Sequence, residues 1–230
     1  MAQLNKVKYS TKLKFIEKTN FSDREPEYVI IWLHGLGANS NDFVPIVPEL
    51  NVRACIKFIF PDAPVRPITI NNGYKMQAWY DIRDLTKLGD TVDHDGIRES
   101  VKQIEELIEL QIKMGFDSKQ IFLAGFSQGG AVCYSTLLTT SYKLRGAIIL
   151  SGYLPDPTLI KESSLSVNEF TPILACHGKQ DMVVPFNLGM TAYEEFKKNK
   201  YSIVWRSYSM EHTVSLDEIN DIALWLNDKT

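Results

Sequence analysis

The sequence contains no long hydrophobic run. Its longest wholly apolar stretch covers residues 28–33, and lysines interrupt the first 18 residues throughout. A membrane-spanning helix needs about 20 mostly apolar residues, and a secretory signal needs an uninterrupted apolar centre. The sequence therefore predicts neither a spanning helix nor a secretory signal.

Cysteine and excess positive charge are also scarce. Cys55, Cys133 and Cys176 form no CxxC pair and no cluster with histidine, and no two histidines have metal-ligand spacing. We expect no metal site, and free, buried thiols in a reducing, cytoplasmic compartment. Lys and Arg number 25 against 28 Asp and Glu, and no basic run is long enough to follow a phosphate backbone. The sequence therefore predicts no nucleic-acid partner.

The sequence does contain ample apolar material. Hydrophobic residues make up 44% of the 230 residues, which is enough for one substantial core and too much for a disordered chain. Glycine and proline are scattered, and no repeat or linker marks a boundary. We expect one domain over residues 1–230.

Short apolar runs alternate with stretches of helical spacing. This alternation predicts an α/β fold with a mostly parallel sheet and helices on both faces, and a site beyond the carboxyl ends of the strands. An alternating pattern over residues 7–16 predicts an antiparallel edge strand. Gly115 is expected to cap the first helix. The predicted strands, most of them with the continuous apolar character of strands buried on both faces, are 28–33, 56–60, 121–125, 146–150, 173–176 and 202–208. The predicted helices are 97–112, 128–140, 188–199 and 214–227.

The strand ending at Gly125 runs into the pentapeptide GFSQG at 125–129, and a helix of small residues follows. This is the GxSxG pattern in a strand–turn–helix context, which is typical of a serine nucleophile. Glycines permit the tight turn that projects Ser127 outward at a helix N-terminus, where negative charge is favoured. Without that context, the serine would be read as an ordinary helix cap.

A serine nucleophile needs a histidine base and an acid that orients it. In α/β-hydrolases these follow the nucleophile in the order acid, histidine. Asp181 and His212 have this order, and each comes just after a predicted strand. We predict Ser127, Asp181 and His212 as a catalytic triad. His177 is the competing base, although its place at a strand end favours a role in supporting a loop, and His94 is expected to be solvated near a helix start.

The tetrahedral intermediate needs N–H donors for its oxyanion. One is predicted to be the backbone N–H of Gln128, directly after the nucleophile. The other is predicted to come from Leu36, in the early loop HGLG at 34–37, where glycines permit close approach of the backbone to a ligand. Taken alone, that loop would be read as a tight turn that ends a strand.

Seven ordered segments give the sequence a resemblance to the carboxylesterase and acyl-protein thioesterase family of α/β-hydrolases. The resemblance implies the same triad and oxyanion donors, and it implies that Trp79, Leu154 and Val184 line or support the acyl-binding region. Two departures, Ala38-Asn39 after HGLG and AWYD in place of AWFD, leave the chemistry untouched. The segments are HGLG at 34–37, FPDAP at 60–64, AWYD at 78–81, AGFSQGG at 124–130, SGYLP at 151–155, HGKQDMVVP at 177–185 and EHTVS at 211–215.

The stretch 65–77 mixes glycine and amides with spaced apolar residues, among them Ile68 and Ile70. It has two interpretations: a mobile lid that forms the acyl groove together with Leu85 and Leu88, or a fixed hairpin with ordinary half-buried side chains.

We predict a serine hydrolase for esters and thioesters of short to medium acyl chains that needs no cofactor. Its substrate is expected to be a small-molecule ester, a lipid-like acyl compound or an S-acylated protein. The main alternative is a lysophospholipase or acyl-protein thioesterase acting at membranes, with peripheral membrane contact. A non-catalytic binding module on the same fold is a further alternative, and a homodimer is left open.

Overall fold

In the computed structural model, residues 12–85, 91–162 and 166–230 are described. They contain nine β-strands and five α-helices. The strands are β1 (Phe15–Thr19), β2 (Tyr28–Leu33), β3 (Ile56–Pro61), β4 (Val65–Ile68), β5 (Tyr74–Gln77), β6 (Ile121–Phe126), β7 (Gly146–Leu150), β8 (Ile173–Gly178) and β9 (Ile203–Tyr208). The helices are α1 (His94–Lys113), α2 (Gln128–Thr139), α3 (Thr158–Glu162), α4 (Phe186–Lys198) and α5 (Leu216–Lys229).

Seven strands form one sheet in the order β1-β3-β2-β6-β7-β8-β9. All neighbours pair in parallel except β1, which pairs antiparallel with β3 at the edge. The predicted α/β fold with a mostly parallel sheet is therefore confirmed. Parallel strands that are covered on both faces lack a polar face, which is why the runs along β2 and β7 are almost continuously apolar.

Alternate residues of each central strand feed two separate cores. Val29 and Ile31 of β2 face the core that contains α1, α2 and α4, whereas Ile30 and Trp32 face the core beneath α5. Helices therefore cover both faces, as predicted. Gly115 follows α1 with φ +108°, which fits the predicted cap, and all three cysteines are free and buried.

The predicted edge strand differs from the observed one in its bounds. β1 runs from Phe15 to Thr19, whereas the prediction ended at residue 16, and residues 7–11 of the prediction lie outside the described residues. One backbone hydrogen bond continues beyond Phe15, from the Asp62 N–H to the Lys14 carbonyl at 2.8 Å. The antiparallel edge strand itself is present. The sequence pattern also missed the short helix α3.

The stretch 65–77 forms a separate two-stranded antiparallel hairpin, β4–β5. Its turn uses two residues with positive φ, Asn72 at +54° and Gly73 at +77°. Thr69 donates from both N–H and hydroxyl to the Asp81 carboxylate, at 2.7 and 2.6 Å, so the turn is tied to the segment that follows β5. Within the described ranges, no helix is both long and apolar enough to cross a membrane.

Candidate active site

Ser127 lies on the turn between β6 and α2, with φ +55° and ψ −118°. A non-glycine residue adopts this backbone only where its surroundings enforce it. The turn around it is packed so closely that glycine is required on both sides: a Cβ on Gly125 would lie 2.4 Å from the Gly129 carbonyl oxygen, and one on Gly129 would lie 2.5 Å from the Leu33 carbonyl oxygen. The Ser127 N–H donates to the Leu150 carbonyl at 2.8 Å, while the hydroxyl makes no capping bond and stays free.

Asp181 follows β8, and His212 follows β9, the neighbouring parallel strand. Their side chains meet, because His212 Nδ1 lies 2.7 Å from Asp181 Oδ2. The other carboxylate oxygen, Oδ1, accepts the N–H groups of Val183 and Val184 at 2.9 and 2.8 Å. A carboxylate with such donors is pre-oriented, and it holds the histidine proton on Nδ1 so that Nε2 carries none.

His212 also lies beside the turn that carries Ser127. The ring of His212 is 4.6 Å from the ring of Phe126, the residue before Ser127. Neither His212 Nε2 nor Ser127 Oγ hydrogen-bonds to another described residue. The structure therefore brings Ser127, Asp181 and His212 to one edge of the sheet, in the order in which the sequence places them.

The early loop HGLG lies directly against Ser127. A Cβ built on Gly35 would be 3.4 Å from Ser127 Cβ and 3.2 Å from the Phe126 ring. Gly37, with φ +76°, donates its N–H to the Gln77 carbonyl at 2.9 Å. Among the described residues, no acceptor takes the N–H of Leu36 or of Gln128, so both remain available to a ligand oxygen.

His34 stiffens this loop. Its Nδ1–H donates to the Gly35 carbonyl at 2.7 Å, and its Nε2 accepts the Ala63 N–H at 3.0 Å. Burial lowers the pKa of His34, which keeps the imidazole neutral, as these two bonds require. His34 therefore ties the loop to the end of β3.

The structural role of the Gln128 side chain was not predicted from the sequence. Its Oε1 accepts the Trp79 N–H at 2.9 Å, and its Nε2 donates to the Tyr80 carbonyl at 2.7 Å. Trp79 in turn donates its indole N–H to the His34 carbonyl at 2.9 Å. One fully buried amide thus connects the turn at Ser127 to the loop at Leu36. The only signal for this role in the sequence was an amide side chain directly after Ser127.

The residues predicted to bind substrate divide into two groups. Trp79, Leu154 and Val184 are buried in the core beneath α1 and α2, and Val184 also donates to Asp181. Ile68 and Ile70 belong to the hairpin region, where Ile68 is fully buried and Ile70 is 45% exposed. Leu85 packs partly buried against the core of α1, and Leu88 lies outside the described residues.

The other two histidines have different surroundings. His177 is fully buried, its Nε2 lies 2.9 Å from the Val184 carbonyl oxygen, and burial lowers its pKa. His94 begins α1 half-exposed and lies 3.1 Å from the Asp156 carboxylate. In the part of the chain that the structure describes, no three His, Cys, Asp or Glu side chains form a metal-binding group.

Comparison with known proteins places this arrangement in a family. The phospholipase/carboxylesterase family model matches residues 16–229. Acyl-protein thioesterase 1 of Yarrowia lipolytica is 35% identical over 206 residues, which cover 86% of this chain and 90% of the relative. Carboxylesterase SOBER1 of Arabidopsis thaliana is 32% identical over 201 residues, covering 86% and 88%.

Solved structures agree. The crystal structure of Arabidopsis thaliana SOBER1 has a TM-score of 0.81 at 30% identity and covers 88% of this chain and 98% of that one. The structure of Zea mays acyl-protein thioesterase 2 has a TM-score of 0.78 at 25% identity, covering 93% and 98%. The resemblance seen in the sequence is confirmed, and the chain belongs to the phospholipase/carboxylesterase family of α/β-hydrolases.

Proposed function

We propose that this chain hydrolyses carboxylic esters and thioesters of short to medium acyl chains, with Ser127, His212 and Asp181 as nucleophile, base and acid. The observation that carries the proposal is the 2.7 Å contact between His212 Nδ1 and Asp181 Oδ2. This pair lies beside a serine whose strained turn leaves its hydroxyl free. The family, whose relatives include thioesterases and a carboxylesterase, supports the same reaction class.

In the first half-reaction, Ser127 Oγ attacks the acyl carbonyl carbon while its proton passes to His212 Nε2. The carbonyl oxygen becomes an oxyanion that accepts the N–H groups of Leu36 and Gln128. The tetrahedral intermediate then breaks its bond to the leaving oxygen or sulfur. His212 gives its proton to that atom, and the alcohol or thiol departs from the acyl-enzyme.

In the second half-reaction, water attacks the acyl-enzyme and His212 takes its proton. The same N–H groups hold the second oxyanion, and collapse of this intermediate breaks the bond to Ser127 Oγ, which regains a proton from His212. Asp181 keeps the imidazole in one tautomer in both steps. The chain's own residues complete this cycle without a cofactor or a metal.

The acyl chain is proposed to lie between the nucleophile and the hairpin β4–β5. Ile68 and Ile70 come from the hairpin region, while Trp79, Leu154 and Val184 support the opposite wall from the core. Apolar walls favour an acyl chain through the area they remove from water, and they select little for the leaving group. This arrangement accommodates both esters and thioesters.

The test is hydrolysis of p-nitrophenyl esters from acetate to palmitate, beside a palmitoyl thioester, with Ser127→Ala as the control. We expect turnover by the wild type and a loss of several orders of magnitude in Ser127→Ala, since removal of a triad nucleophile abolishes covalent catalysis. Labelling by a fluorophosphonate probe that is lost in Ser127→Ala would separate an enzyme from a binding module. Near wild-type activity in that variant would refute the assignment.

A second candidate function is that of a lysophospholipase or acyl-protein thioesterase at a membrane. The observation that favours it is the exposure of apolar side chains in the hairpin region, where Val65 is 66% and Tyr74 71% exposed and Ile70 is half-exposed. Exposed apolar area of this kind is available for contact with lipid or protein. Sedimentation with liposomes, compared with a variant carrying serine at all three positions, distinguishes this candidate from an enzyme that acts in bulk water.

The remaining expectations are part of the proposal. We propose one catalytic domain over residues 1–230, built on a single sheet with a core on each face. Free buried thiols support a cytoplasmic location. An S-acylated protein is proposed as a substrate beside small esters. A homodimer stays a prediction, and light scattering after gel filtration gives the oligomeric state.

A further inference from the structure

His177 has a place in the site that the proposed mechanism does not use. It lies near the end of β8, fully buried, with Nε2 2.9 Å from the Val184 carbonyl oxygen and 3.5 Å from Asp181 Oδ2. A carbonyl oxygen can only accept, so Nε2 carries the proton. The same carboxylate oxygen accepts the Nδ1–H of His212 at 2.7 Å. Asp181 Oδ2 is therefore approached by two imidazole N–H groups, one from His212 and one from His177.

The ring of His177 is fixed in this orientation. It stacks on Trp205 at a centroid distance of 6.0 Å, and Phe186 packs edge-on against it at 5.9 Å. Gly189 of α4 leaves room for the ring, since a Cβ there would lie 2.3 Å from Nδ1. Nδ1 has no partner, and burial lowers the pKa of His177, so the imidazole is neutral with its single proton on Nε2.

An apolar side chain would fill this cage at a lower cost in free energy. A buried nitrogen without a partner is destabilising, and phenylalanine or leucine would carry none. The favourable contribution of histidine therefore lies at Nε2. The two groups near Nε2 are the Val184 carbonyl and Asp181, and both belong to the loop that follows β8.

Val184 links these two groups. Its N–H donates to Asp181 Oδ1 at 2.8 Å, and its carbonyl accepts from His177. His177 therefore binds the carbonyl of Val184, and the N–H of Val184 binds the Asp181 carboxylate. Asp181 itself has no accessible side-chain surface, so water cannot replace a donor that moves away.

We propose that His177 is a positioning residue for the catalytic acid. Its Nε2–H fixes the Val184 carbonyl and approaches Asp181 Oδ2, and this keeps the carboxylate aligned with Nδ1 of His212. The consequence for turnover rests on the proposed function, whereas the consequence for the Asp181–His212 hydrogen bond does not.

The test compares His177→Gln with His177→Met. The two side chains have similar length and volume, but only glutamine presents an N–H near the position of Nε2. We expect His177→Met to lower kcat about tenfold or more with KM within twofold, because the acid moves and the acyl groove does not. His177→Gln should retain kcat within about threefold. Equal kcat in the two variants, or a loss confined to KM, would overturn the proposal.

Proton NMR provides a readout that does not depend on activity. The Nδ1–H of His212, bonded to Asp181, should resonate far downfield in the wild type and in His177→Gln, and it should weaken or shift in His177→Met. An identical resonance in all three proteins would overturn the positioning role, even if Ser127→Ala had already refuted the proposed function. The half-exposed His94 provides the matched control, because His94→Met should leave both kcat and the resonance unchanged.

If His177→Met does not fold, Gly189→Ala tests the same point from the other side of the ring. The added methyl overlaps Nδ1 and pushes the imidazole towards Asp181 without removing a donor. A folded Gly189→Ala variant, checked by circular dichroism, should lose kcat and show a shifted His212 resonance. A folded variant with wild-type kcat and resonance would contradict the proposal.

Discussion

The edge of the sheet where the parallel strands end, which carries the proposed triad, and the hairpin β4–β5 hold their side chains in different ways. At the edge, Asp181, Gln128 and His34 are buried, and each side chain is bonded to specific backbone groups. On the hairpin, Val65 and Tyr74 are largely exposed and bind nothing specific. Polar groups at the edge are therefore held by specific partners, whereas the exposed apolar side chains of the hairpin are not.

This difference separates two functions that the site must combine. Bond breaking requires donors and acceptors fixed to within a fraction of an ångström, which buried hydrogen bonds provide. Selection among acyl chains requires apolar surface. Because the hydrophobic effect is non-directional, small displacements of the side chains that provide this surface change it little. Changes at the edge should therefore alter turnover for every substrate, and changes on the hairpin should alter the preference for chain length.

The largest effect is expected from Asp181→Asn. Two backbone N–H groups fix Oδ1, so the amide oxygen of asparagine must occupy that position and its NH₂ must face His212 Nδ1. Nδ1 then has to accept, the proton moves to Nε2, and the base is lost. We expect kcat to fall roughly 10⁴-fold for all acyl lengths with little change in stability. A selective loss on long chains alone, measured over the p-nitrophenyl series, would contradict the separation of the two regions.

A smaller effect on rate is expected from Gln128→Met, which removes the amide that links Trp79 and Tyr80 to the nucleophile turn. Turnover should fall about 10–100-fold, because a displacement of about 1 Å in a catalytic group has an effect of this size. The freed N–H and C=O groups are buried, so the free energy of unfolding should also drop by about 1–3 kcal/mol for each. Urea unfolding and steady-state kinetics measure both. A variant with wild-type stability would show that the two hydrogen bonds of the Gln128 amide do not stabilise the fold.

An effect on stability alone is expected from Glu218→Gln, on α5 just after the His212 loop. Glu218 is fully buried with both carboxylate oxygens unpartnered, and burial raises its pKa to about 8. Between the unfolded pKa and pH 8 the folded chain holds one proton more than the unfolded chain, so stability falls as the pH rises. Glutamine removes this dependence.

The gain in unfolding free energy from Glu218→Gln should therefore grow by about 1.4 kcal/mol for each pH unit between pH 5 and 8. Urea unfolding at several pH values measures it, with kcat unchanged. The exposed Glu194 on α4 gives the control, since Glu194→Gln should show no such slope. A gain in stability that is the same at pH 5 and pH 8 would contradict a buried, protonated Glu218.

The sequence was informative about the edge because sterics and chain order constrain it. Glycine at 125 and 129 is required by carbonyl groups less than 3 Å from the missing Cβ atoms, and such a requirement leaves a readable motif. Six strands of the sheet were predicted within two residues of their observed ends, and five of them are runs buried on both faces, which demand continuous apolar sequence. The role of Ser127 was inferred from the GxSxG turn, and the roles of Asp181 and His212 from their order and their places after strands. All three stay predictions.

Other features could not be read from the sequence, because they depend on which groups meet in space. The Gln128 side chain contacts backbone 49 and 48 residues away, and the imidazole of His177 depends on a carbonyl that the loop turns back towards it. The hairpin carries no periodic signal that would separate a lid from a fixed pair of strands.

The smallest effect, and the one that bears most directly on the comparison, is expected from Ile70→Ser. Ile70 is about half exposed, whereas Ile68 is fully buried, so Ile70→Ser tests the groove without opening a cavity. If Ile70 contacts the distal part of an acyl chain, kcat/KM for long esters should fall roughly fivefold relative to acetate, the equivalent of little more than one buried methylene. Leu224→Ser, an equally simple change at an exposed position on α5, should leave this ratio unchanged. Equal losses on acetate and palmitate would mean that the hairpin acts on the edge of the sheet itself, through the bonds from Thr69 to Asp81, and the two regions would then be one.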